Sequence, residues 1–140
     1  MKTKINLEIL IKNLLVFALL SANYNQVLAQ DTKVNDFKVV VEKTKTGIKM
    51  QSIKGTSWID LTFTLNDNRP QAIDEYGITE LSNISNDKNP KLADFLFTIT
   101  KTSEGVLLKG LKGTAWRELS FSLKNDKRRA IDQFGMTKLN

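Results

Sequence analysis

From residue 36 onward the chain alternates apolar and polar positions in short runs, and the same runs occur twice. Phe37, Val39 and Val41 share one parity, as do Phe95, Phe97 and Ile99, 58 positions later. The positions between them are mixed: Lys38, Val40 and Glu42 in one run, Leu96, Thr98 and Thr100 in the other. A period of two with one constant apolar face predicts a half-buried β-strand, because successive side chains in a strand point to opposite sides. Thr44-Lys45-Thr46-Gly47 and Thr102-Ser103-Glu104-Gly105 then read as hairpin turns. A second strand is predicted over Ile48–Ile53 and Val106–Leu111, followed by tight turns at Lys54-Gly55-Thr56 and Lys112-Gly113-Thr114. A third runs Trp58–Leu65 and Trp116–Leu123, with Leu61, Phe63, Leu65 and Leu119, Phe121, Leu123 facing the core. Polar loops at Asn66–Pro70 and Lys124–Arg128 lead into Ala-Ile-Asp-x-(Tyr/Phe)-Gly, read as a short fourth strand with a turn at Gly77 or Gly135.

Residues 36–81 and 94–139 are thus one 46-residue unit written twice without a gap, with 18 of the 46 aligned pairs identical. Between the copies, residues 82–93 are rich in Ser, Asn and Lys and contain Pro90, the composition of a surface linker. A four-stranded unit with one apolar face cannot stand alone in water, whereas two such faces can cover each other. The expected fold is all-β: a duplicated four-stranded antiparallel unit forming an eight-stranded sandwich or barrel, with the halves related by a pseudo-twofold axis.

The first 29 residues read differently. Lys2, Lys4 and Lys12 precede the apolar run Leu14–Leu20, and Val27-Leu28-Ala29 offers a small-residue cleavage site. That is the order of a secretory signal peptide, with the cut expected after Ala29 and a single β domain over residues 30–140. The apolar run is much shorter than the ~20 residues a membrane-spanning helix needs, so no transmembrane segment is expected after cleavage. The expected location is exported, periplasmic or secreted. Cysteine and histidine are both absent, which removes disulfide staples and the usual zinc, copper and haem ligand sets. No metal and no cofactor is expected.

Without histidine or cysteine the common catalytic triads are unavailable, and no Gly-rich phosphate loop or nucleophile elbow is present. The mature part carries 18 basic and 14 acidic residues, distributed unevenly. The first copy has 6 basic and 7 acidic side chains and the second has 9 and 5. Lys124, Lys127, Arg128 and Arg129 fall in one predicted loop, a cluster suited to an acidic polysaccharide or other anionic surface. Export argues against nucleic acid as the partner. Trp58 and Trp116 are the other binding candidates, as aromatic platforms for a sugar ring or a partner side chain. Counting by twos from Leu61 reaches Ile59 rather than Trp58, so the tryptophan faces outward unless a β-bulge turns it in. Arg117, a poor core residue at the equivalent of Ile59, favours the bulge. Asp74 and Asp132 recur in the closing motif, where an aspartate two residues before an aromatic-Gly step shapes a turn.

The run Gly-Thr-(Ser/Ala)-Trp-x-x-Leu-x-Phe-x-Leu followed by Ala-Ile-Asp-x-(Tyr/Phe)-Gly resembles small exported bacterial proteins built from one or two such units. The resemblance covers residues 36–139 and implies no site residue. The expected function is a non-catalytic secreted or periplasmic β binding module for a glycan, polyanion or protein surface. The alternatives are a two-carboxylate hydrolase-like enzyme using Asp74 and Asp132, or a structural self-associating protein. The enzyme requires both carboxylates in one cleft, roughly 5–10 Å apart.

Overall fold

A computed structural model describes residues 36–140, so the signal-peptide expectation for residues 1–29 lies outside the described residues. The described chain is all-β. Its strands are β1 (Lys38–Lys43), β2 (Gly47–Lys54), β3 (Asp60–Thr64), β4 (Gln71–Asp74), β5 (Gly77–Thr79), β6 (Leu96–Lys101), β7 (Gly105–Lys112), β8 (Glu118–Ser122), β9 (Arg128–Asp132) and β10 (Gly135–Thr137). They form two five-stranded antiparallel sheets, ordered β10-β9-β1-β2-β3 and β5-β4-β6-β7-β8. Of the two expected closures, the sandwich is the one observed. Among the described residues no helix is long and apolar enough to cross a membrane.

Each repeat supplies five strands rather than four, because its closing segment folds as a hairpin instead of one strand. Gly77 and Gly135 take φ of 129° and 127° at the hairpin turn, a conformation that L side chains rarely adopt. The resulting strands, Gly77–Thr79 and Gly135–Thr137, are three residues long and too short to show an alternation of their own.

The repeats are also interlocked. The meander β1-β2-β3 of the first repeat stays in one sheet, but its hairpin β4-β5 crosses to pair with β6 of the second. Reciprocally, β9-β10 pairs with β1, from Lys38↔Asp132 to Glu42↔Arg128. The polar loops before β4 and β9 make these crossings, turning at Asn68 and Asp126, both at φ 61°. Asn and Asp are the residues other than glycine that tolerate this left-handed conformation best.

One core lies between the sheets. Phe37, Val39, Val41, Ile48, Met50 and Ile131 come from the first sheet and its flank; Ile73, Phe95, Phe97, Ile99, Val106 and Leu108 from the second. Phe37, Val39, Val41, Phe95, Phe97 and Ile99 are the positions of β1 and β6 that the alternation assigned to one face. At the centre Phe37 stacks on Phe95 with ring centroids 4.4 Å apart, and Phe97 stacks on Phe95 at 5.5 Å. The aromatic rings therefore join the repeats across the sandwich, a geometry that adds to their burial.

The Lys-Gly-Thr turns are fixed by close backbone approach. Gly113 has φ 67°, and a Cβ there would lie 2.9 Å from Phe95 Cα and collide with the Asp94 carbonyl. At Gly135 the left-handed φ is similar in kind, but nothing lies within 4 Å of a Cβ. Gly113→Ala is expected to destabilise the domain by more than about 1 kcal/mol, and by more than Gly135→Ala. Urea denaturation of the two variants measures that order.

Candidate functional site

Both tryptophans sit where the chain breaks its own alternation. β3 begins at Asp60 and β8 at Glu118, and an irregular step precedes each. There Ser52 N donates to Ile59 O at 2.7 Å, and Gly110 N to Arg117 O at 2.9 Å. The step turns Ile59 out, 74% exposed, together with Arg117, and turns the tryptophans in. Trp116 is 9% exposed and its ring lies 5.9 Å from that of Phe97, while Trp58 is half-buried against the same core.

Each indole N–H is used across the sandwich. Trp58 Nε1 donates to Asp74 O at 3.1 Å and Trp116 Nε1 to Asp132 O at 3.0 Å. Trp58 flanks a strand of the first sheet and Asp74 ends a strand of the second, with the reverse for Trp116 and Asp132. The neighbouring backbone reinforces the clamp: Ser57 N donates to Glu75 O and Ala115 N to Gln133 O, both at 2.8 Å. The Gly-Thr-x-Trp segment thus fastens each crossed hairpin to its own meander. It leaves Trp116 almost no free face for a sugar ring.

The aspartates are occupied locally. Asp74 Oδ1 accepts from Tyr76 N at 2.8 Å and Gly77 N at 3.0 Å, and Asp132 Oδ1 accepts from Phe134 N at 2.8 Å. Each follows a core-facing isoleucine, Ile73 or Ile131, in a different sheet, so alternation turns the two residues toward opposite outer faces. The structure does not bring them into one cleft.

Two interior polar side chains carry no signal in the alternation. Glu75 is buried and its Oε2 accepts from Phe95 N at 3.3 Å; Gln133, its counterpart, accepts from Phe37 N at 3.1 Å through Oε1. The only hint was that the aligned residues are Glu and Gln, which share a carbonyl-like acceptor. Burial raises the Glu75 pKa above the usual carboxylate value, and the negative charges of Asp74 and Asp94 push the same way. Lys43, 8% exposed, donates from Nζ to Thr102 O at 2.9 Å and Ser103 O at 3.2 Å, capping a hairpin of the other repeat.

The basic cluster divides. Lys124, Lys127 and Arg129, with Ser122 and Leu123, line one concavity of about 410 Å³ where the chain leaves β8 and crosses to β9. A tight turn holds the rim: Lys127 N donates to Lys124 O at 3.2 Å, and Asp126 N to Lys43 O at 2.8 Å. Arg128 points to the outer face of the first sheet, because alternation along β9 separates it from Arg129. There it donates to Gln51 Oε1 at 2.7 Å and lies 3.8 Å from Glu42 Oε2. Among the described residues, no carboxylate pairs with Lys124, Lys127 or Arg129. The corresponding crossover of the first repeat keeps the turn, with Arg69 N donating to Asn66 O at 3.2 Å. Its aligned residues are Asn66, Arg69 and Gln71, one cation in place of three.

Two other concavities lie on the outer sheet faces. That of the first sheet, about 200 Å³, is polar, lined by Glu42, Lys49, Gln51 and Arg128 around Val40. That of the second, about 460 Å³, has Pro70, Leu81, Leu107 and Leu111 beside Thr98 and Thr100. No group of three or more Asp and Glu side chains among the described residues is placed to hold a metal ion.

Fold and site together define a two-sheet β-sandwich built from interlocked repeats, with one cationic concavity at a crossover. No protein-family model matches the chain, and no similar curated protein or solved structure was found.

Trp116→Ala is expected to cost about 3–5 kcal/mol of unfolding free energy, the range for deleting a large buried aromatic side chain. Trp58→Ala is expected to cost less, in proportion to its shallower burial, and urea titration reads both. Glu75 gives a pH dependence. A carboxyl with a raised folded-state pKa binds more protons when folded, so its contribution weakens stability as pH rises from the unfolded pKa through the folded one. Glu75→Gln is therefore expected to melt above the parent at pH 7, with the gap closing as the pH is lowered toward 4. Thermal melts across that interval test it.

Proposed function

We propose that this protein is an exported, non-catalytic β-sandwich binding module, and that its Lys124–Lys127–Arg129 concavity receives an anionic group of a glycan or another polyanion. The observation that carries this reading is that three basic residues, none with a carboxylate partner among the described residues, line one hollow of about 410 Å³. Like charges held together repel, and a scaffold has no need of them here. The first repeat makes the same turn with Asn66, Arg69 and Gln71. The added charge therefore belongs to the use of this loop rather than to its folding. The guanidinium of Arg129 provides a planar fork of donors, and the lysines provide mobile point charges, a combination suited to sulfate, phosphate or carboxylate groups. A hollow that is only partly enclosed also suits an anion displayed on a chain better than a small molecule that must be enclosed.

The duplication provides the test. Titration of the mature chain with a sulfated glycan, followed by NMR, is expected to move resonances of Ser122, Lys124, Lys127 and Arg129, with a neutral glycan leaving them in place. Exposed ion pairs are worth about 0.2–1 kcal/mol each. Replacing all three cations with alanine is thus expected to weaken binding roughly tenfold or more while the melting temperature holds. The pair Asn66→Lys and Gln71→Arg is expected to create a second site and double the stoichiometry. Unchanged affinity in the triple variant would remove the reading.

A further inference from the structure

The contacts between the repeats are made mainly by residues outside the segment that links them. β1 pairs with β9 from Lys38↔Asp132 to Glu42↔Arg128, and β4 pairs with β6 from Gln71↔Ile99 to Asp74↔Leu96. Around these ladders the polar contacts come in reciprocal pairs. Phe37 N donates to Gln133 and Phe95 N to Glu75, while Asp126 N donates to Lys43 O and Asn68 N to Lys101 O. The Phe37–Phe95 stack lies where the two halves meet. By contrast the connection is lightly held. Every residue from Glu80 to Lys91 is exposed, and the bonds from the rest of the domain to residues 82–93 are Tyr76 Oη to Asp87 O, Thr79 Oγ1 to Asn83 O, Asn83 N to Glu80 O and Ala93 N to Gly55 O.

We propose that this inter-repeat surface also accepts a second copy of the chain: repeat 1 of one copy docks with repeat 2 of the other, and the reverse, giving a dimer with exchanged halves. Each half-pair rebuilds the same sandwich, because every contact that joins the repeats inside one chain is available between chains. The partner is fixed by what already occupies the surface, which is the complementary repeat. A short flexible linker holds the two repeats of one chain at a millimolar effective concentration, so the closed monomer prevails in dilute solution. The exchanged dimer forms when folding takes place at comparable protein concentration, at little cost beyond straightening an exposed segment. It also places two Lys124–Lys127–Arg129 hollows on one particle.

The experiment uses the mature full chain with a protease recognition sequence inserted between Asn86 and Asp87. After cleavage of the monomer, the two pieces are expected to elute together at the size of the uncut chain. Their melting temperature should rise with protein concentration, which the uncut chain does not show. Refolding from denaturant at about 1 mM is expected to give a dimer peak by light scattering. Cleaving the linker of that dimer should release particles of monomer size, since only the linkers join its two sandwiches. Pieces that separate or unfold on cleavage overturn the proposal, as does monomer alone at every refolding concentration. A dimer that survives cleavage intact also overturns it, because that dimer is held by an outer surface instead.

Discussion

A β-sheet with one apolar face is stable in water only when that face is covered, and in this protein no repeat covers its own. Each meander of three strands gains its last two strands, and part of its core, from the other copy. Everything else in the architecture serves that exchange. The polar loops with left-handed turns at Asn68 and Asp126 carry the chain across, and the tryptophan N–H groups fasten each crossed hairpin back to its parent meander. The Phe37–Phe95 stack sits at the centre, where both halves must be present before either ring is dry. Removing water from that face drives the assembly; the hydrogen bonds determine which strand lies next to which.

Much of this was legible in the alternation of residues, and what was not has physical reasons. Strands β1, β2, β6 and β7 fall where the sequence placed them, since a half-buried strand writes its pattern directly in side-chain polarity. Strands β3 and β8 start at Asp60 and Glu118, later than the runs read from Trp58 and Trp116. The hairpins closing each repeat were compressed into one strand because three residues cannot display a period. The crossing of those hairpins could not be read at all: Ala72-Ile73-Asp74 has the same inward isoleucine whichever sheet it joins. The irregular step that turns the tryptophans inward was betrayed by Arg117, a residue that would not be buried at the position strict alternation assigns. Glu75 and Lys43 were missed because burial of a charged group depends on distant partners, Phe95 N and the carbonyls of Thr102 and Ser103, respectively.

The candidate site shows a similar division. Sequence proximity grouped four cations, but strand alternation separates Arg128 from Arg129 and leaves three in the hollow. The outer faces of the sheets have also diverged on a common frame. Glu42, Lys49 and Arg128 on one face stand where Thr100, Leu107 and Pro70 stand on the other, so one face is charged and the other largely apolar. Because both sets of residues fold on equivalent strands, neither is dictated by the scaffold. The outer surfaces of the two repeats differ in polarity, while the paired core positions are apolar in both.

The pairing of β1 with β9 has a kinetic consequence. Val39 lies opposite Ile131, so a strand near the start of the domain finds its neighbour near the end. Such a contact is among the most distant in sequence that the chain makes, and long-range pairing of this kind slows folding, because a large loop must close before any reward is gained. During synthesis the first meander emerges with its apolar face open and must wait for β9 and β10, which follow the linker and the whole second meander. Until then neither repeat can complete a sandwich of its own, and the nascent domain stays open until the second repeat has been made.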